Sequence, residues 1–280
     1  MRGAHGEDSL GLGYLTAPEI TLDRDREVTL DGRELREIGT KLPRAAQTRQ
    51  LVMAATRSAN GSAYTAQAQV PLTYDSVFAA PTTKPRSGTF EYRTVWRLGT
   101  PPLAGTADGR KLSELTLQPG SGRLDGRLNA KLFDAGDGSA AAYEGQDVKG
   151  RAVFVHADKT VDPADLARYA ADAGAAALLV TDDDPGRLMA SFGTAEGDDR
   201  AFPVATVNAA DGKILARAAK SGEKLRLTGT PDAPYVYDLS AGHPGAIPDK
   251  DLTIAPRAKD LATVATTYYG AKAQSGGEFR

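Results

Sequence analysis

Cysteine is absent from the 280 residues, which excludes disulfides, thiol catalysis and cysteine-ligated metal centres. Histidine occurs three times, at His5, His156 and His243. A subtilisin-like triad needs an aspartate, a histidine in a His-Gly setting and a serine in a Gly-Thr-Ser turn. No set of three such settings occurs; His5 precedes a glycine, but in a segment with no periodic pattern to hold it. The chain also lacks a Gly-x-Ser-x-Gly elbow, a His-Glu-x-x-His pair, a Gly-Lys-Ser/Thr phosphate loop and a dinucleotide fingerprint. No apolar run approaches the ~20 residues that span a bilayer. Residues 1–13 have no apolar core of the signal-peptide kind and are expected to be disordered, so the chain is expected to carry no export signal of its own. Lys plus Arg number 34 against 36 Asp plus Glu. No charge excess therefore draws the chain to nucleic acid or an anionic membrane.

What is present is organised around residues 147–182. Ala152-Val-Phe-Val155 is a short apolar run entered through Lys149-Gly150, the signature of a buried strand. Asp162 stands where an N-cap belongs, with Pro163 at the first helical position and Asp165 in the first turn. Leu166, Tyr169, Ala170 and Ala173 fall at helical spacing, Gly174 ends the helix, and 176–181 resumes as a strand. Strand, helix and strand in so few residues predict a parallel pair with a right-handed crossover. The turn 156–162 has no glycine and two acids, so it cannot let backbone amides approach phosphate as a nucleotide site requires. The unit reads as scaffold.

The flanking regions read as β. Residues 19–22 and 27–30 alternate, and the Asp31-Gly32 turn follows. The runs 50–55 and 63–72 flank Asn60-Gly61, the turn of a hairpin. Between 88 and 98, Phe90, Tyr92, Trp96 and Leu98 share one face while Arg93 and Arg97 share the other. Strands are also expected at 113–117, 128–133, 202–207, 224–228, 235–239 and 263–269, with a second helix capped by Asn208 and stopped by Gly222. The segmentation is a disordered 1–13, a β-sandwich over 14–100, an α/β unit over 101–232, a β return over 233–270 and a disordered 271–280. Two arrangements fit this pattern: separate β regions, or one sandwich interrupted by the α/β unit.

In this order, 144–150, Ala152 to Val155, the 165–174 helix and the 175–180 strand, then Phe202-Pro-Val-Ala-Thr-Val207 and Asp211-Gly-Lys-Ile-Leu215, resemble the protease-associated (PA) domain. The flanks, among them 18–30, 74–81, 90–96 and 235–239, resemble the β-rich regions downstream of the catalytic domain in large secreted bacterial subtilisin-like serine proteases. The resemblance implies a mostly β, α+β fold: an antiparallel β-sandwich plus a PA domain with a βαβ unit and two helices, inserted into the sandwich in one of the two arrangements. It implies a secreted, non-catalytic accessory module that contacts protein, either a protease catalytic domain or a protein substrate. The alternatives are a fragment of an intact protease whose catalytic domain lies elsewhere, and a calcium- or carbohydrate-binding extracellular module.

Candidate site residues are few. Asp182, Asp183 and Asp184, with Asp198 across the same loop, supply the oxygen ligands a Ca²⁺ ion takes, but without EF-hand spacing the expected reading is a solvated acidic turn. Asp134-Ala-Gly-Asp-Gly138 is expected to be a plain turn, and His156 a structural strand-end residue. Ser191, Phe192 and Thr194 sit in the long polar loop between Asp184 and Arg200, whose length and polarity fit either a protein-contact surface or plain disorder. Trp96, Tyr235, Tyr237, Tyr268 and Tyr269 form an aromatic set whose alternation points to core packing.

Overall fold

The computed structural model describes residues 1–193, 202–267 and 269. In chain order β1 (Gly11–Tyr14), β2 (Arg36–Thr40), β3 (Gln47–Ala59), β4 (Ser62–Gln69), β5 (Ser76–Ala79) and β6 (Thr89–Gly99) come first. They are followed by β7 (Leu103–Ala107), β8 (Arg110–Lys111), β9 (Thr116–Leu117), β10 (Gly126–Asp134) and β11 (Ala152–His156). Next are α1 (Pro163–Asp172), β12 (Ala177–Thr181), β13 (Val204–Thr206), α2 (Ala209–Lys220) and β14 (Lys224–Gly229). The last strands are β15 (Val236–Pro244) and β16 (Leu252–Ile254). The fold is mostly β with two α-helices among the described residues, an α+β arrangement.

Three sheets form among the described residues. The central one has eight strands in the order β8-β7-β14-β10-β11-β12-β13-β9, parallel from β10 to β13 and antiparallel outside. Its middle strands are buried on both faces, which is why they read as unbroken apolar runs. Ala152 and Phe154 pack toward Leu215 and Ala218 of α2. Val153 and Val155 pack toward Leu166, Ala167 and Ala170 of α1. The helix signals hold with two adjustments. The Asp162 side chain makes no capping bond, although the helix starts at Pro163. Tyr169 is only half-buried, with the Arg168 guanidinium over its ring at 4.5 Å, and Ala167 takes the core position. In α2, Asn208 accepts from the Asp211 amide at 2.8 Å, a true N-cap.

The other two sheets have four strands each, β1-β5-β2-β16 and β15-β6-β3-β4. They enclose one cluster in which Ile38, Val77, Ala79 and Leu252 face Met53, Tyr92, Trp96, Leu98 and Leu239. The alternation of β6 is realised: Phe90, Tyr92, Thr94, Trp96 and Leu98 are buried and Arg93 is exposed. Asn60 and Gly61 both have positive φ, 51° and 76°, as the two-residue hairpin requires. β15 pairs with β6 from Val236↔Gly99 to Pro244↔Glu91, and β16 pairs with β2. The chain thus leaves this two-sheet body after β6, builds the central sheet, and returns to it.

Four expectations are corrected. The body is not wholly antiparallel: β1 with β5 and β16 with β2 are parallel, because strands distant in the chain meet without a hairpin to fix their sense. Residues 19–22 and 27–30 form no strand, and Leu22 is 79% exposed; alternation supplies a face but not a ladder partner. Residues 263–267 and 269 are likewise outside any strand. Residues 1–13 are ordered rather than disordered. Arg2 bridges Leu10, and β1 begins at Gly11. The hydroxyls of Ser9 and Ser76 both donate to Asp75, at 2.6 and 2.9 Å. The expected 271–280 tail lies outside the described residues.

Candidate functional site

The carboxyl ends of β11 and β12 carry the acidic turn. His156 Nε2 lies 3.0 Å from Asp183 Oδ1, and Lys159 Nζ donates to Asp184 Oδ2 at 2.6 Å. Each exposed carboxylate therefore faces its own basic partner instead of converging on a common centre, and such solvent-screened surface pairs contribute little stability. No group of three His, Asp or Glu gathers to hold a metal among the described residues; Asp198 lies outside them. In the 134–138 turn, Asp134 and Asp137 accept from the Gly136 and Ser139 amides, which makes it a backbone turn.

Asp182 differs from its neighbours, being only 9% exposed. Burial first, then the negative charge of Asp184, pushes its carboxyl up from the ordinary 3.8. The folded state therefore prefers the protonated form. That contribution to stability is fully present below pH 3.8 and is lost as pH rises through the raised value. Asp182→Asn, isosteric and uncharged, is expected to melt higher than the parent at pH 7, with the gain narrowing toward pH 4. Thermal melts at the two pH values check it, and a variant no more stable at pH 7 contradicts the assignment.

The proposed contact loop is placed in part. Ser191 is exposed, Thr194 lies outside the described residues, and Phe192 is 1% exposed. Phe192 packs with Leu166, Val148 and Val155 in the α1 layer. It is a core residue, not a contact residue. A lone aromatic in a polar loop gives no sequence sign of the helix it will meet. Trp96 is buried. Tyr235 and Tyr237 stack edge-on at 5.6 Å, and the Tyr235 hydroxyl donates to the Ala45 carbonyl at 2.6 Å. Tyr269 is 93% exposed, and Tyr268 lies outside the described residues.

A cleft of about 820 Å³ opens where the central sheet meets the two-sheet body. It was not legible in the sequence, because its walls come from seven separated stretches. The joint is built around Arg187. Its guanidinium donates to Glu114, to the Leu72 carbonyl at 3.0 Å and to the Tyr74 carbonyl at 2.7 Å. Gly186, at φ +92°, seats this loop: a Cβ there would stand 2.4 Å from the Thr73 carbonyl. Glu114 is itself held by α2. The Asp211 carboxylate, 2% exposed, accepts from the Ser113 amide and hydroxyl at 2.7 and 2.8 Å and from the Glu114 amide at 3.0 Å. Next to it, Gly212 lets α2 approach β12, since a Cβ would stand 2.9 Å from Thr181. The Asp-Gly pair thus has a physical reason: one residue bolts a loop, the other admits a strand. Glu7, Asp8, Asp75 and Glu114 line the cleft against Lys111 and Arg187, an acid-rich wall suited to a basic polypeptide. None of the three histidine rings is hydrogen-bonded to a serine hydroxyl among the described residues.

No curated protein matches the sequence. An aminopeptidase from Aneurinibacillus sp. strain AM-1 is similar at 21% identity and TM-score 0.39, over 56% of this chain and 35% of that one. BSAP, a zinc aminopeptidase from Bacillus subtilis, is similar at 20% identity and TM-score 0.37, over 54% and 35%. The subtilisin-like protease Apa1 from the Antarctic psychrotroph Pseudoalteromonas sp. AS-11 gives 15%, 0.36, 57% and 44%. The chain thus spans less than half the length of each of these proteins. The PA domain family model matches residues 122–215, from the approach to β10 through the first half of α2. This part of the chain is a PA domain.

Proposed function

We propose that the chain is the accessory, non-catalytic region of a secreted subtilisin-like serine protease, and that it works by contacting protein at the cleft between the PA domain and the two-sheet body. The observation that carries this is the mounting. The PA sheet is flanked in sequence by β6 and β15, which pair along nine residues, and Arg187 ties it to the 72–74 stretch. A pre-organised recognition surface binds with little ordering cost. The acid-rich wall favours basic stretches of an unfolded substrate or of a neighbouring catalytic domain.

Two measurements test the reading on the purified chain. A fluorophosphonate probe is expected to leave it unlabelled, and robust labelling would overturn the non-catalytic assignment. Fluorescence anisotropy with a reduced, carboxamidomethylated basic protein is expected to show salt-dependent binding. Glu7→Lys with Asp8→Lys, both exposed positions, should weaken it about tenfold. Binding indifferent to that charge reversal removes the cleft as the contact site. The subtilisin-like part of the proposal is tested separately, by reading the adjoining DNA for a frame that encodes a catalytic triad.

A further inference from the structure

β4 is an edge strand, with β3 on one side and no strand on the other among the described residues. The hairpin turn sets the phase of its hydrogen bonds. Ala59 and Ser62 flank the two-residue turn as a bonded pair, so Ser62, Tyr64, Ala66 and Ala68 bond to β3. Val70, next in that series, donates to the Leu51 carbonyl at 2.9 Å. Ala63, Thr65, Gln67 and Gln69 therefore direct their N–H and C=O groups at the open edge. Side chains follow the same alternation. Ala66 and Ala68 are register partners of the core residues Ala55 and Met53, so Tyr64, Ala66 and Ala68 share the core-side face. Yet Tyr64 is 72% exposed and Ala68 is exposed, because the opposite sheet does not extend over them.

This edge also lacks the usual protection. Natural edges are blunted by charge, proline, bulges or short length. β1, β8, β9 and β16 are two to four residues long, and β15 carries Asp238 and ends in Pro244. β4 has eight residues with no charge, proline or glycine, and residues 58–74 contain no charged residue at all.

We propose that β4 is a self-association edge, pairing antiparallel with β4 of a second copy about a twofold axis at Ala66. In that register Ala63 faces Gln69 and Thr65 faces Gln67 of the other copy. Every edge-directed residue on both strands is then bonded: four pairs exchanging two bonds each give about eight. Registers shifted by two leave part of the edge open. Ala66 meets Ala66, and the Tyr64 ring lies over the Ala68 methyl, so the apolar faces join with no like charges opposed.

Sedimentation velocity of the full chain from about 1 to about 100 µM, where complexes of modest affinity dissociate, tests the pairing. The mass is expected to rise from the 29.4 kDa of one chain toward that of two. Ala66→Lys sets two lysines against each other at the axis, and Thr65→Pro removes an edge-directed N–H without breaking a bond to β3. Each is expected to shift the association midpoint at least tenfold, with unchanged circular dichroism. In the unmutated chain the Ala63, Thr65, Gln67 and Gln69 amides should gain exchange protection with concentration, so a misfolded variant leaves the test intact. A mass fixed at one chain, association indifferent to both substitutions, or growth beyond two chains overturns the proposal.

Discussion

A chain ending at Asp232, without β15 and β16, is expected to lose the fold of residues 36–99 while the PA domain stays folded. Leu239, Ile247 and Leu252 are 8%, 1% and 6% exposed within the two-sheet core. Burial of each contributes roughly 1.5–3 kcal/mol, so their removal withdraws roughly 5–9 kcal/mol. That is comparable with the whole stability of a typical domain, about 5–15 kcal/mol. The loss also strips β6 of its nine-residue partner and leaves a long strand edge unpaired. The PA layers keep their own clusters around α1 and α2. Amide exchange measures both halves at once: protection should vanish across 36–99 and persist across 126–229. Retained protection in the first half would refute a single two-sheet body closed by the return segment.

The second large effect is expected from Asp211→Ala. This side chain is buried and accepts three hydrogen bonds from the Ser113–Glu114 loop. Its removal leaves two backbone N–H groups without an acceptor, at about 1–3 kcal/mol each. A total of roughly 2–6 kcal/mol corresponds to a fall in Tm of roughly 5–20 °C for a domain of this size. Asp211→Asn keeps one acceptor oxygen and should cost less than half as much. The Ala variant should also free Glu114 from its place opposite Arg187, so that trypsin cleaves after Lys111 faster than in the parent. Equal melting losses for Ala and the isosteric Asn would show that the site acts through the carboxylate charge and not through these acceptor bonds.

The two helices of the PA domain show what local sequence can carry. Asn208 as cap, Pro163 at the first turn, and Gly174 and Gly222 with positive φ as stops are all properties of a few adjacent residues. The same holds for the Asn60-Gly61 hairpin and for the alternation of β6. Residues 19–30 show the limit. They alternate as well as β6 does, yet remain outside any strand with Ile20 and Leu22 exposed. β16, only three residues long, is too short to show a period, yet it becomes a strand because an edge of β2 is open to it. Phe192 looked like a loop aromatic until α1 supplied the layer that buries it.

The sequence by itself determined that this chain has no cysteine chemistry and no triad setting, and that residues 147–215 build a βαβ scaffold of PA type. Those readings depend on residue identity and on spacing within a turn or two. Only the tertiary structure decided that β6 and β15 close one body around the PA domain, and that Arg187 and Asp211 bolt the walls of a cleft drawn from distant stretches. It also decided which edge stays open. Strand pairing and buried hydrogen bonds join residues a hundred positions apart, and no local pattern specifies the partner across that distance.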